Sequence, residues 1–119
     1  MRYLCSVYFE PVIFGRMSDE EKRTLDRDSL EYDDELRRSG HYIASNALQA
    51  VERAVTVQVR NKRISSSDGP FAETKEHLGG FILIEAATLD EAVRIASGIP
   101  MARYGSIEVR PTHQIEDTR

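Results

Sequence analysis

The sequence has one cysteine, no tryptophan and four prolines in 119 residues, and each shortage removes a way of holding the fold together. A lone Cys5 cannot close a disulfide within the chain, which agrees with a reducing compartment. His41, His77 and His113 are scattered, with no pair at a metal-ligand spacing, so neither a metal nor another cofactor is expected. No stretch reaches the roughly 20 consecutive apolar residues that cross a bilayer. The N-terminus lacks the basic, apolar and small-residue order of a secretory signal, so a cytoplasmic location without a membrane partner is expected. Basic residues are too few and too dispersed for duplex nucleic acid. Sixteen Lys and Arg stand against 20 Asp and Glu, for a net charge of −4, and no basic stripe could neutralise several phosphates together.

What is present suits one packed domain spanning residues 1–119. The hydrophobic share of 40% is ordinary for a globular chain. A chain of this length buries roughly 65% of its unfolded surface, enough for a core without staples. The charge is local, because Ser18 to Arg38 holds nine acidic and five basic residues while the remainder cancels.

Tyr3, Cys5, Val7 and Phe9 fall on one side of an extended segment, and Leu4 and Tyr8 are apolar on the other. That pattern predicts a strand covered on both faces. Pro11 and Gly15 break it. Ser18 with Glu21 then forms a capping box, and Leu25, Ser29, Tyr32 and Leu36 make a narrow stripe that can lie on a sheet. Arg37 and Arg38 suit the helix end, and Gly40 supplies a left-handed stop near Ser39. A second strand is predicted over His41 to Leu48, with Tyr42, Ala44, Asn46 and Leu48 on one face. Val55, Val57 and Val59 alternate, Asn61-Lys62 turns the chain, and Arg63 to Ser66 returns as a hairpin. Asp68-Gly69-Pro70-Phe71 opens a loop. Gly79-Gly80 lets backbones approach closely, and Phe81 to Ile84, apolar throughout, predicts a central strand. Thr88 and Glu91 form another capping box before a helix with the stripe Leu89, Ala92, Val93 and Ala96, stopped by Gly98 and Pro100. Ser106 to Arg110 gives a last strand, and Thr112 to Arg119 a loosely held polar tail.

This order predicts an α+β fold, a ferredoxin-like split βαβ with an inserted β-hairpin and both helices on one face of the sheet. Two strands are apolar on both sides, so a single copy would leave a large apolar face in water. Two-fold pairing is the economical cover, and a homodimer is expected.

The segments DGPFAETKE at 68–76, LGGFILIEA at 78–86 and GSIEVRP at 105–111 carry a family likeness. Over nearly the whole chain they resemble the DGPF branch of the YCII-related family. The resemblance implies a ferredoxin-like protomer pairing as a dimeric α+β barrel, with a cleft beside the sheet. It further implies an association of many bacterial members with extracytoplasmic-function sigma factors. In the related YCII branch a helical histidine and a later loop aspartate are the suspected catalytic pair. Asp68 falls where the aspartate would, but the helical position corresponds to about Ser29, so the histidine half is missing.

The candidate residues each have two readings. Asp68 projects a carboxylate from a strand end toward a ligand, or accepts N–H groups in its own turn. Phe71 is a ligand contact or an apolar plug under the loop. Glu73 and Lys75, two residues apart, pair elsewhere or point into a cleft. Arg110 holds an anionic ligand or a carboxylate across the dimer. Three functions follow. The first is a homodimer binding a small polar molecule in a cleft lined by the Asp68 loop, with Phe71, Glu73, Lys75, Arg110, Tyr32 and His41 as contacts. The second is a non-catalytic interaction module for a sigma-factor-related regulator. The third is a small-molecule enzyme with Asp68 as acid or base and Tyr32 or His41 in place of the absent histidine.

Overall fold

In the computed structural model, which describes residues 1–119, the two-sided apolar segment at the N-terminus forms β1 (Arg2–Phe9) in the interior of a sheet. It pairs antiparallel with β5 (His77–Glu85) on one side and β6 (Ser106–Pro111) on the other. β2 (Tyr42–Ala47) adds to the free side of β5, giving the order β2-β5-β1-β6. β1 and β2 are thus joined through a helix yet separated by β5, the split βαβ expected from the sequence. The mixed α+β class and ferredoxin-like arrangement are those predicted.

Register explains where the core lies. Tyr3, Cys5 and Val7 stand opposite Ile84, Ile82 and Gly80 of β5, and Cys5 and Val7 also face Val109 and Ile107 of β6. This side is covered by α2 (Asp19–Arg38) and α3 (Leu89–Ser97), which contribute Leu25, Leu36, Ala92, Ile95 and Ala96 to one cluster with Met17, Ile99 and Met101. Ile84 and Cys5 are fully buried. Burying a side chain the size of Ile84 contributes about 1.5–3 kcal/mol.

α2 begins as predicted, with Ser18 and Glu21 reciprocally bonded. It ends at Ser39 before Gly40 at φ +81°. α3 differs in two details. The Glu91 carboxylate accepts from the Ala87 N–H, one residue before the cap, rather than from Thr88 itself. Its buried stripe is Ala92, Ile95 and Ala96, so the predicted Leu89 and Val93 are half-exposed. Ile95, with Ala92 and Ala96 on either side of its turn, faces the cluster, and the helix is rotated accordingly.

Other elements also depart from expectation. α1 (Val12–Arg16) forms across Pro11 and Gly15, because a proline at a helix start forfeits no hydrogen bond. Two single turns of 3₁₀ helix, Val51–Arg53 and Pro100–Arg103, were not anticipated. An irregularity between Tyr42 and Ala44 breaks the predicted single face of β2. Tyr42 therefore aligns with buried Ile84, while Ala44 and Asn46 align with Leu83 and Phe81 on the helix-free side. β5 starts at His77, four residues before its apolar run. No helix is long and apolar enough to cross a membrane.

The hairpin β3 (Val55–Arg60) and β4 (Arg63–Asp68) forms a separate two-stranded ribbon. Asn61 and Lys62 take φ of 51° and 62° at its tip, as a two-residue turn matching strand twist requires. The helix-free side of the main sheet carries Leu4, Tyr8, Phe81 and Leu83, all half-buried.

Candidate functional site

A bulge between β1 and β5 shapes the best-formed concavity. Val7 pairs with Gly80 and Tyr8 with Leu78, so Gly79 is left over. A Cβ on Gly79 would overlap the Phe9 ring, and glycine is therefore what lets Phe9 lie across β5. Phe9 meets Phe14 of α1 edge to face, with centroids 4.8 Å apart and planes at 84°. The Leu48 N–H donates to the Gly79 carbonyl at 2.8 Å, drawing the end of β2 to the same place. Between these parts is a cleft of about 240 Å³. Phe9, Pro11, Phe14, Leu48 and Leu78 supply apolar walls, and Gln49, Glu52 and His77 supply polar groups. Beside it, Lys75 reaches Glu10 at 3.4 Å.

Such a mixture does two things chemically. Aromatic and aliphatic walls are suited to a flat apolar body, and a carboxylate, an amide and an imidazole offer hydrogen-bonding groups at its edge. An apolar cavity of about 150 Å³ holds one benzene ring, so a cleft of about 240 Å³ has room for a single substituted ring. Glu52 disfavours an anion and suits a neutral or cationic donor.

A second, shallower concavity of about 300 Å³ lies on the ribbon, lined by Thr56, Gln58, Ser65, Ser66, Ser67, Pro70 and Phe71. It touches the Asp68 loop but not the main sheet.

The sequence candidates are dispersed. Asp68 pairs with Val55 at the base of the ribbon and is exposed. Bonds at its turn come from Gly69 N–H to the Ala54 carbonyl at 2.7 Å and from Thr56 Oγ1 to the Gly69 carbonyl at 2.9 Å, not from the carboxylate. Phe71 is 80% exposed, which corrects its reading as a plug beneath the loop. Nothing else in the chain folds over it. Glu73 is exposed as well, and Lys75 is taken by Glu10. Arg110 bonds Glu108 of its own strand at 2.7 Å, on the helix-free side where Arg110 faces Leu4. Tyr32 is committed between the helices, its hydroxyl donating to the Ile95 carbonyl at 2.6 Å. Burial first, then the nearby Glu35 and Cys5, push its phenol upward.

His41 sits at the far end of β5, its Nδ1 2.8 Å from the Glu85 carbonyl oxygen and 3.9 Å from Glu91 Oε1. Eight residue steps separate Glu85 from His77, roughly 26 Å of strand. Tyr32 and His41 thus have their hydrogen-bond partners in the Ile95 and Glu85 carbonyls, and neither bonds Asp68. Cys5 is fully buried, and that burial raises its thiol to about 11, away from the thiolate form that a nucleophile uses.

Sequence reasoning missed His77, Gln49 and Glu52. The Gly79-Gly80 pair was the available signal. A Cβ on Gly80 would come within 2.8 Å of the Asn46 carbonyl oxygen, the close backbone approach expected there, while Gly79 admits a ring.

Comparison with known proteins is consistent with this architecture. A family model described as YCII-related domain matches residues 1–116. An uncharacterised protein of Rhizobium meliloti (strain 1021) is 34% identical over 113 residues, covering 93% of this chain and 91% of that relative.

Proposed function

The chain belongs to the YCII-related domain family, and we propose that it is a homodimer that binds a small molecule in the cleft between β1, the end of β2 and the start of β5. The observation that carries this reading is Gly79. It makes room for the Phe9 ring, and the ring forms one wall of the cleft. The ligand class is a single-ring neutral or cationic compound bearing a hydrogen-bond donor, matched to the Phe9 and Phe14 rings on one side and to Gln49, Glu52 and His77 on the other. This moves the ligand away from the Asp68 loop and makes it less polar than the motif alone suggested. Asp68-Gly69-Pro70-Phe71 still supports placement in the DGPF branch.

The test is a thermal-shift screen of aromatic amines and amides against the full chain, with Leu48→Trp as a cleft-filling control. Leu48 is half-exposed, so the larger side chain occupies the cleft without entering the core. A ligand at 100 times its Kd adds about 2.7 kcal/mol of stability, which raises Tm by several degrees. Hits that lose their shift in Leu48→Trp support the site. A class-wide absence of shift in the wild type, or equal shifts in the control, rejects it.

A further inference from the structure

The β3–β4 ribbon has one wholly polar face. Register puts Thr56 opposite Ser67, Gln58 opposite Ser65 and Arg60 opposite Arg63 on that side, while Asp68 falls with Val55, Val57 and Val59 on the other. The polar face of the ribbon therefore carries no acid. Arg60 and Arg63 flank the Asn61-Lys62 turn directly across from each other, an arrangement in which like charges repel. Neither arginine, nor Lys62, enters an ion pair of the chain, although 20 acids stand against 16 bases. Arg60 donates Nη1 only to the carbonyl of its neighbour Val59, at 3.0 Å. Two forks of donors are thus held side by side without a counter-ion, and a dianion between them ends the repulsion.

The opposite end of the same face is aromatic. The Thr56 hydroxyl donates to the Gly69 carbonyl at 2.9 Å, and Gly69 takes φ +98°, which turns Pro70 and Phe71 onto the polar side. There they close the concavity of about 300 Å³ with Thr56, Gln58, Ser65 and Ser67. The Phe71 ring is 80% exposed, an open surface for stacking. Ser65 gives its hydroxyl proton to the Gln58 main-chain carbonyl at 3.4 Å, which leaves the Gln58 amide and the Ser67 hydroxyl for a polar partner. If about 150 Å³ holds one six-membered ring, this space takes two. From Thr56 to Arg60 the strand runs four steps, roughly 14 Å.

We infer that the polar face of the ribbon binds a nucleoside monophosphate, with the base on Phe71, the ribose against Gln58 and Ser67, and the phosphate between Arg60 and Arg63. The order of chemistries along the face selects this class. A sugar phosphate brings no aromatic plane to Phe71 and is too short to join it to the arginines. A neutral aromatic compound leaves the guanidinium pair unmatched. The phosphate of a nucleotide carries a charge of about −2 near neutral pH, equal and opposite to the two guanidiniums. The site shares no residue with the Phe9 cleft, so it stands or falls independently of the ligand proposed there.

The test is a titration of the isotope-labelled full chain with AMP, GMP, CMP and UMP, followed by nuclear magnetic resonance of its amides and arginine side chains. At least one nucleotide is expected to move the Gln58, Ser65, Ser67 and Phe71 amides together with the Arg60 and Arg63 Nε–H signals. It should bind about 10-fold more tightly than its nucleoside. Arg63→Gln should weaken the nucleotide about 10-fold and leave the nucleoside unchanged. Phe71→Ala should weaken both by about fivefold or more. Arg63 and Phe71 are exposed, and unshifted resonances of the main sheet verify that both variants fold. Absence of any shift with all four nucleotides at millimolar concentration would overturn the site. So would a response confined to Gln49, Glu52 and His77, or an Arg63→Gln chain that binds as tightly as wild type.

Discussion

The Tyr32 hydroxyl donates a 2.6 Å hydrogen bond to the main-chain carbonyl of Ile95, tying α2 to α3 across the sheet side they share. The same carbonyl accepts the Gly98 N–H at 3.1 Å, so removing the phenol does not orphan it. Tyr32→Phe is therefore expected to cost only about 1 kcal/mol. Urea unfolding at fixed protein concentration measures the difference, and an unchanged midpoint would show that the bond contributes nothing in solution.

Gly79→Ala forces a methyl group into the Phe9 ring. Overpacking of this kind costs about 1–3 kcal/mol, and the displaced ring also closes the cleft. The double variant Gly79→Ala with Phe9→Leu should recover part of the stability. If the single substitution is silent, Phe9 does not occupy the space beside β5.

Lys62 holds φ of 62° at the ribbon tip, a region that costs a side-chain-bearing residue roughly 1 kcal/mol or more. Asn61 tolerates its own positive φ, so Lys62→Gly completes the preferred Asn-Gly turn. Amide exchange of Thr56 to Val59 should slow by about fivefold, the equivalent of 1 kcal/mol. Unchanged or faster exchange would contradict the turn geometry.

Cys5 gives a pH test with a definite sign. Burial raises its thiol from the ordinary 9.0 to about 11, so between these values the folded chain keeps a proton that the unfolded chain releases. Stability from this group is complete below pH 9 and falls as pH rises through 11, by up to roughly 3 kcal/mol. Cys5→Ala should be less stable at neutral pH, through its cavity, yet show a shallower loss over that window. Equal slopes would place the thiol in contact with solvent.

The sequence made the main sheet legible because its signals were local. Alternation marked β1, the run Phe81 to Ile84 marked β5, and Ser18 with Glu21 marked the start of α2. The site was less visible, since a cleft is assembled from distant pieces. Phe9, Leu48, Glu52 and His77 come together only through a bulge, and period-two alternation carries no sign that one residue will be left over. The rotation of α3 had a similar origin. Ile95 faces the cluster with Ala92 and Ala96 while Leu89 and Val93 are half-exposed, and apolar residues on both sides of Ala92 leave two rotations of the helix open to a hydropathy stripe.

The separateness of the ribbon limits what optical methods can report. All five tyrosines, at positions 3, 8, 32, 42 and 104, lie outside residues 55–68, and the chain has no tryptophan. Intrinsic fluorescence thus follows the melting of the sheet and its helices, while no tyrosine of the ribbon itself reports on residues 55–68. An amide-based signal that begins to change before the tyrosine emission would be the ribbon unfolding first.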